Sequence, residues 1–88
     1  MMFYVYVLIS GADGRFYTGL TGDLKRRVAE HSEGMVETTR NRRPLELAYY
    51  EACKSRKDAY RREKYLKTSA GKRYLRDRLK EHLGALKG

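Results

Sequence analysis

The N-terminal segment places the strongest constraint on the fold. Apart from Leu8, the run Phe3–Ile9 consists of aromatic and β-branched residues, which is the composition of a β-strand. Gly-Ala-Asp-Gly at 11–14 supplies hairpin chemistry, because an Asp-Gly pair tolerates positive φ. Arg15–Leu20 then predicts the returning strand. The chain is therefore expected to begin with a β-hairpin.

The middle of the chain predicts a helix and then a third strand. Asp23 is the expected N-cap of a helix over Leu24–Ser32, and Gly34 is expected to end that helix. Residues 35–44 form a polar, basic loop. In Leu45–Glu51 the side chains alternate with the period of a strand, with Leu45, Leu47 and Tyr49 on one face.

The last third of the chain predicts two helices. Ser55 is the N-cap of a helix that runs to about Lys67, and Ser69 caps a last helix. That helix has leucines at helical spacing, at positions 75, 79, 83 and 86. The order ββαβαα predicts an α+β fold, in a single domain over residues 1–88.

Charge is distributed unevenly along the chain. Residues 1–39 have four basic and five acidic side chains, net −1, whereas residues 40–88 have sixteen and six, net +10. A cationic half on a small domain indicates a polyanionic partner, most commonly nucleic acid. The single cysteine, Cys53, excludes an intramolecular disulfide scaffold. The longest apolar run is far short of the roughly 20 residues of a membrane span, and we expect a cytoplasmic protein.

Hairpin parity predicts a tyrosine-rich face. With a two- or four-residue loop, one face of the hairpin has Tyr4, Tyr6, Leu8, Tyr17 and Gly19. The other face, with Val5, Val7, Ile9, Phe16, Thr18 and Leu20, is the better core face. The tyrosines supply phenols for proton transfer or simply pack across strands. Gly19 permits close approach of a ligand or backbone, or marks a bulge.

Three polar side chains are candidates for chemistry on this face. Arg27 and His31 lie four residues apart on one helix face, although Arg27 has an alternative partner in Asp23 and His31 lies near a helix C-terminus. Glu63 is a lone carboxylate among cations. It can bind a divalent cation whose remaining ligands are phosphate and water, or it can form an i,i+4 ion pair with Lys67.

Together these residues resemble a known family. Tyr4-Val5-Tyr6 and Phe16-Tyr17-Thr18-Gly19 look like the paired short motifs of the GIY-YIG endonuclease domain. The helix segment from Leu24 to His31 is similar to the family's Leu-x-x-Arg-x-x-x-His pattern, and Glu63 stands where the family has its metal-binding glutamate. The resemblance covers nearly the whole chain and is greatest to the small stand-alone proteins of this family.

The resemblance implies a fold and a reaction. The fold is a small three-stranded antiparallel sheet flanked by helices, and the reaction is metal-dependent hydrolysis of a phosphodiester bond with Mg²⁺ or Mn²⁺. In those terms Glu63 holds the metal, Arg27 neutralises charge on the phosphate, and Tyr6 or Tyr17 deprotonates the attacking water. His31 is a neighbouring relay or an alternative base.

We therefore interpret the chain as a Mg²⁺-dependent endonuclease that acts on DNA rather than RNA, with a role in repair or recombination. A homodimer or a larger repair complex would extend its small contact surface. The candidates for nucleic-acid contact are Arg40, Arg42, Arg43, Arg61, Arg62, Lys67, Lys72 and Arg73.

One departure from the family pattern bears on activity. Many members have an asparagine after the glutamate, whereas the only asparagine here is Asn41, upstream. This predicts weak activity, or dependence on a particular substrate or partner. Two alternatives follow. One is a non-catalytic nucleic-acid-binding module whose tyrosines stack on bases, and the other is an interaction domain whose basic helices bind an acidic protein.

Overall fold

Three strands and four helices make up the structure, a computed structural model that describes residues 1–87. The elements are, in order, β1 (Phe3–Ser10), β2 (Phe16–Thr21), α1 (Leu24–Ser32), a short 3₁₀ helix (Arg40–Arg42), β3 (Leu45–Cys53), α2 (Arg56–Leu66), α3 (Ser69–Arg78) and α4 (Lys80–Lys87). The predicted α+β class is confirmed. The predicted last helix is two helices, so the order is ββαβααα.

The sheet is antiparallel, with β1 between β2 and β3. The Ser10 amide donates to the Arg15 carbonyl at 3.0 Å, so four residues form the hairpin loop. In this register Tyr6 lies opposite Gly19, and Leu8 lies opposite Tyr17. The predicted division of the hairpin into a tyrosine face and an apolar face is confirmed.

A β-bulge changes the predicted faces of β3. Tyr49 pairs with Val7, whereas Leu47 pairs with Leu8, and the register shifts between these two pairs. Because the bulge adds Ala48 to one strand only, Leu47 and Tyr49 point to opposite faces. The predicted alternation, with both on one face, is wrong. Tyr49 instead packs against the core.

The first two helices have the N-cap residues that the sequence predicts. Asp23 Oδ1 accepts from the Arg26 amide at 3.1 Å, and Ser55 Oγ accepts from the Asp58 amide at 3.4 Å. Both predicted N-caps are confirmed. Gly34, just beyond α1, has φ of 78°, in the left-handed region that ends a helix.

The start and the length of the predicted last helix differ from expectation. Its N-cap is Thr68, whose Oγ1 accepts from the Gly71 amide at 3.1 Å, and not Ser69. The helix ends at Arg78 with Leu79 as its C-cap, and α4 begins at Lys80. Leucine spacing continues through this break, so periodicity alone could not show it. None of the helices in the described residues has the length and hydrophobicity needed to cross a lipid bilayer.

The core lies on one face of the sheet. Val5 and Val7 of β1 pack against Ala59 and Leu66 of α2 and Leu75 of α3, and all five are fully buried. Helix α1 lies on the opposite, tyrosine face, where His31 contacts Tyr6. The sheet is therefore covered on both faces, and the tyrosines face α1 instead of the core.

Replacing Gly71 with alanine is expected to destabilise the protein. An added Cβ would overlap the backbone of Tyr65 and Leu66, where α3 crosses the end of α2. We expect a loss of about 1–3 kcal/mol, as for other overpacked sites, in urea-induced unfolding. Gly84→Ala is the matched control, because an added Cβ there has open space and alanine favours the helix. Equal stability of the two variants would contradict this account of Gly71.

Candidate active site

A buried chain of hydrogen bonds joins three side chains on the tyrosine face. Tyr6 Oη lies 2.9 Å from His31 Nε2, and His31 Nδ1 lies 2.7 Å from Thr39 Oγ1. The exposed fraction is 1% for Tyr6 and 0% for His31 and Thr39. The phenol that family resemblance singled out is thus coupled directly to the histidine that it singled out.

Gly19 explains how the Tyr6 ring fits. A Cβ at Gly19 would overlap Tyr6 Oη and its ring carbon, so the tyrosine ring lies directly over the glycine backbone. The β1–β2 register continues through Gly19 without a shift. Of the two interpretations of this glycine, the structure therefore shows close approach, by a side chain of the same hairpin, and no bulge.

Tyr17 completes the aromatic part of the site. Its ring centroid lies 5.1 Å from that of His31 and 6.4 Å from that of Tyr6. Tyr17 is half-buried and is the more exposed of the two phenols. The structure brings both predicted tyrosines to His31, and it gives the hydrogen bond to Tyr6.

Arg27 provides the positive charge beside this chain. Its Nη1 lies 3.0 Å from Glu30 Oε1, and its side chain is 38% exposed. The alternative partner, Asp23, instead caps the helix. The guanidinium opposes the rise that burial causes in the pKa of Tyr6, and it adds to the fall that burial causes in the pKa of His31.

Burial dominates the protonation of Tyr6 and His31. Burial raises the pKa of Tyr6 above its ordinary value, against the opposing effect of Arg27. Burial, assisted by the charge of Arg27, lowers the pKa of His31. Both groups are therefore neutral at pH 7. A neutral imidazole donates through one nitrogen and accepts through the other, so His31 can pass a proton along the chain.

Glu63 lies on α2, and its charge acts on Tyr6. Its negative charge is among the effects that raise the pKa of Tyr6, and its side chain is only 15% exposed. Glu63 Oε2 also lies 2.9 Å from Lys67 Nζ. The i,i+4 ion pair considered as an alternative is therefore present.

The donor set limits what kind of metal site is compatible with these residues. Residues 1–87 contain no group of three or more His, Cys, Asp or Glu side chains arranged to hold a metal ion. Mg²⁺ is commonly bound by one or two carboxylates, with substrate phosphates and water completing its shell. Glu63 fits that open type of site, in which the substrate contributes ligands. It does not fit a closed protein cage.

The predicted contact residues of α2 are engaged in ion pairs. Arg62 donates to both carboxylate oxygens of Glu51, at 2.9 Å from Nε and 2.8 Å from Nη2, and stacks on Tyr74 at 4.8 Å. Arg61 Nη2 lies 2.7 Å from Asp58 Oδ1. Lys67 is held by Glu63, as above. Of these, Arg62 is the most firmly held.

The other predicted contacts lie on different parts of the surface. Arg40 Nε donates to the Gly34 carbonyl, and Arg43 Nε donates to the Arg40 carbonyl, both at 3.0 Å. Arg42 and Lys72 line a groove beside the hairpin tip. Arg73 is exposed on α3. The structure thus distributes the predicted contacts over several surfaces, and their role in nucleic-acid contact stays a prediction.

Thr39 is the site residue that sequence reasoning missed. It lies in the loop 35–44, just before the 3₁₀ helix, where no periodicity marks a buried position. Its backbone amide donates to the Val36 carbonyl at 3.2 Å, which turns the loop back towards α1. Only the return of this loop onto His31 shows that Thr39 belongs to the site.

Stability is expected to fall at acidic pH because of His31. Its folded-state pKa is lower than its unfolded value of about 6.5, so the unfolded chain binds more protons as pH decreases. The stabilising contribution is present above that unfolded value and is lost as pH falls below it. Urea unfolding at pH 7.5 and pH 5.5 measures this, and His31→Gln should reduce the slope. If the change in stability with pH were the same in His31→Gln as in the wild-type protein but absent in His82→Gln, His82 and not His31 would be responsible for it.

Comparisons with known proteins place this arrangement in a family. Residues 2–75 match the family model described as the GIY-YIG catalytic domain. A UPF0213 protein of Halobacterium salinarum is 46% identical over 67 residues, which is 75% of this chain and 86% of that protein. A UPF0213 protein of Desulfotalea psychrophila is 41% identical over 66 residues, 73% of this chain and 59% of that protein. The chain thus spans less than two thirds of the Desulfotalea protein.

One solved structure is also similar to this chain. The solution NMR structure of the UPF0213 protein BH0048 from Bacillus halodurans is 38% identical, with 100% of this chain and 87% of that chain covered and a TM-score of 0.48. The fold is that of an α+β protein with paired hairpin tyrosines. The chain belongs to the GIY-YIG family, a nuclease family, and is similar to the small UPF0213 proteins.

Proposed function

We propose that the chain is a metal-dependent endonuclease that hydrolyses phosphodiester bonds in DNA. One observation supports this above the others. A buried hydrogen-bonded chain joins Tyr6, His31 and Thr39, and the charges of a guanidinium, on Arg27, and a carboxylate, on Glu63, both act on Tyr6. A proton acceptor, a cation and a metal-binding oxygen are the groups that phosphoryl transfer requires.

Tyr6 is the phenol that we assign as the base, because its own proton has an acceptor. In the proposed reaction the water oxygen bonds to phosphorus, and its proton moves to Tyr6 Oη. The phenolic proton passes to His31 Nε2, while His31 Nδ1–H donates to Thr39 Oγ1 and so holds the required tautomer. The bond to the leaving oxygen breaks as water attacks, and that oxygen leaves with the electron pair and takes a proton from solvent. Tyr6 stays neutral throughout, while His31 becomes an imidazolium and afterwards releases its extra proton to solvent.

Arg27 and Glu63 have electrostatic roles in this proposal. Arg27 would neutralise charge that develops on the phosphate. Glu63 would hold Mg²⁺ or Mn²⁺, and the bound cation would stabilise negative charge on a phosphate oxygen. Tyr17, the more exposed phenol, would line the approach of the substrate to Tyr6. We propose that the protein acts in the cytoplasm, in DNA repair or recombination. The net charge of +10 on residues 40–88 would attract the DNA.

A second candidate function is a non-catalytic nucleic-acid-binding module. One observation favours it: the ammonium of Lys67 already pairs with Glu63 Oε2 at 2.9 Å and would compete with a metal for the carboxylate. This module would bind nucleic acid without a metal, and its affinity would fall as salt is raised.

The two functions are separated by a cleavage assay with supercoiled plasmid, branched DNA and RNA. The endonuclease is expected to nick or cut DNA with Mg²⁺ or Mn²⁺ and to stop when EDTA removes the metal. Salt-sensitive binding without cleavage on any of the substrates would support the binding module instead. Faster cleavage of RNA than of DNA would contradict the proposed substrate.

A further inference from the structure

A groove lies on the side of the sheet away from the candidate active site. It encloses about 780 Å³ between the hairpin tip on one side and helices α3 and α4 on the other. We call it the basic groove. Phe16 lines it, whereas the neighbouring Tyr17 points to the opposite face of β2, towards His31. An occupant of the basic groove would therefore not compete with a substrate at Tyr6.

The rim of the groove is positively charged on both sides. Arg15 and Arg42 line the hairpin side, and Lys72 and Arg76, four residues apart on α3, line the other. The acidic group of the lining, Asp13, lies 3.6 Å from Arg42 Nε. That nitrogen is buried and has no hydrogen-bond partner within residues 1–87. The rim is thus complementary in charge to carboxylates.

The floor of the groove is mainly aliphatic. Ile9, Leu83 and Leu86 line it together with Phe16, and Leu86 is 55% exposed. Single-stranded nucleic acid is held by successive aromatic platforms, and duplex DNA presents mainly charged phosphates, with few apolar groups, to a protein surface. A floor with one aromatic ring among aliphatic side chains instead fits the leucine-like side chains of a protein.

We propose that the basic groove docks an acidic amphipathic helix of a partner protein. Such a helix would place apolar side chains at i, i+3, i+4 and i+7 on the aliphatic floor. Its flanking Asp and Glu residues would meet the cations on the two rims. The partner would thereby bring the candidate active site to a location or substrate, and it would not contact that site itself.

The probe is a fluorescently labelled synthetic helix that has leucines in that pattern and glutamates on both flanks. A peptide of the same composition without the leucine stripe is the control, and fluorescence anisotropy measures binding. We expect salt-sensitive binding of the first peptide, with amide shifts in NMR spectra confined to the groove. Arg76→Glu and Leu86→Gln should each weaken it about tenfold or more.

Arg78→Glu is the matched control variant, because it makes the same charge change on α3 at a residue outside the groove lining. It should bind nearly as wild type. Equal binding of the two peptides, or equal losses in Arg76→Glu and Arg78→Glu, would overturn the proposal. Displacement of the peptide by oligo(dT) with the same sensitivity to Leu86→Gln would assign the groove to nucleic acid. Glu63→Gln should bind the peptide normally, so failure of the nuclease and failure of the docking site are distinguishable.

Discussion

Replacing Glu63 with glutamine is expected to abolish most metal-dependent cleavage. The amide keeps the size of the side chain but removes the negative charge that would hold a divalent cation near Tyr6. We expect the rate to fall by roughly 10³-fold, because metal stabilisation of the phosphate contributes several kcal/mol to the transition state. Single-turnover cleavage of plasmid DNA at saturating Mg²⁺ measures the effect.

Asp58→Asn is the control for this change. Asp58 lies on the same helix, and its carboxylate is likewise paired with a cation, Arg61, at 2.7 Å. Its loss should leave cleavage close to that of the wild-type protein. Loss of DNA binding together with cleavage in Glu63→Gln would point to a role other than metal binding, and cleavage at the wild-type rate would contradict the metal role altogether.

Replacing Tyr6 with phenylalanine is the second change with a large expected effect. The variant keeps the ring over Gly19 but removes the hydroxyl that bonds His31 Nε2 at 2.9 Å. General acid–base catalysis contributes about 10²- to 10⁴-fold, so we expect a loss in that range. Stability should also fall by about 1–3 kcal/mol, since a buried imidazole nitrogen loses its partner. The assay is therefore run well below the melting temperature of the variant.

Comparison with Tyr17→Phe tests which phenol is the base. Under the proposed relay, Tyr17→Phe should lose much less activity, because Tyr17 contributes ring contacts to His31. The wild-type rate should also fall at acidic pH, once His31 is protonated and no longer accepts a proton. Because burial lowers the His31 pKa, that fall should begin below its ordinary value of about 6.5. A larger loss in Tyr17→Phe would transfer the role of base to Tyr17.

Local patterns in the sequence were sufficient for much of the fold. The hairpin loop, its two faces and the N-caps Asp23 and Ser55 were predicted correctly, because each depends on residues close together in the chain. The bulge at Ala48 and the break at Leu79 were not predicted. Both interrupt a pattern whose period continues past them, so the side chains alone do not show where the backbone departs from it.

Much of the candidate site was likewise accessible from the sequence. Tyr6, Tyr17, Arg27, His31 and Glu63 were proposed from family resemblance, and in the structure the rings of Tyr6 and Tyr17 lie against His31. Their partners did not follow. Lys67 and Arg62 were expected to contact nucleic acid, and in the structure they pair with Glu63 and Glu51. Such pairs depend on which faces of α2 and the sheet meet.

The sequence by itself determined the hairpin, the class of fold and the identity of the chemical groups, because these depend on local propensity and side-chain type. The tertiary structure alone decided that His31 is buried between Tyr6 and Thr39, which are 25 and 8 residues away in the chain. It also decided that the hairpin tip and the last two helices together form a basic groove on the other face of the sheet. The physical reason is the same for both. Burial and hydrogen bonding between distant segments are set by how the layers pack, and packing is a property of the whole chain.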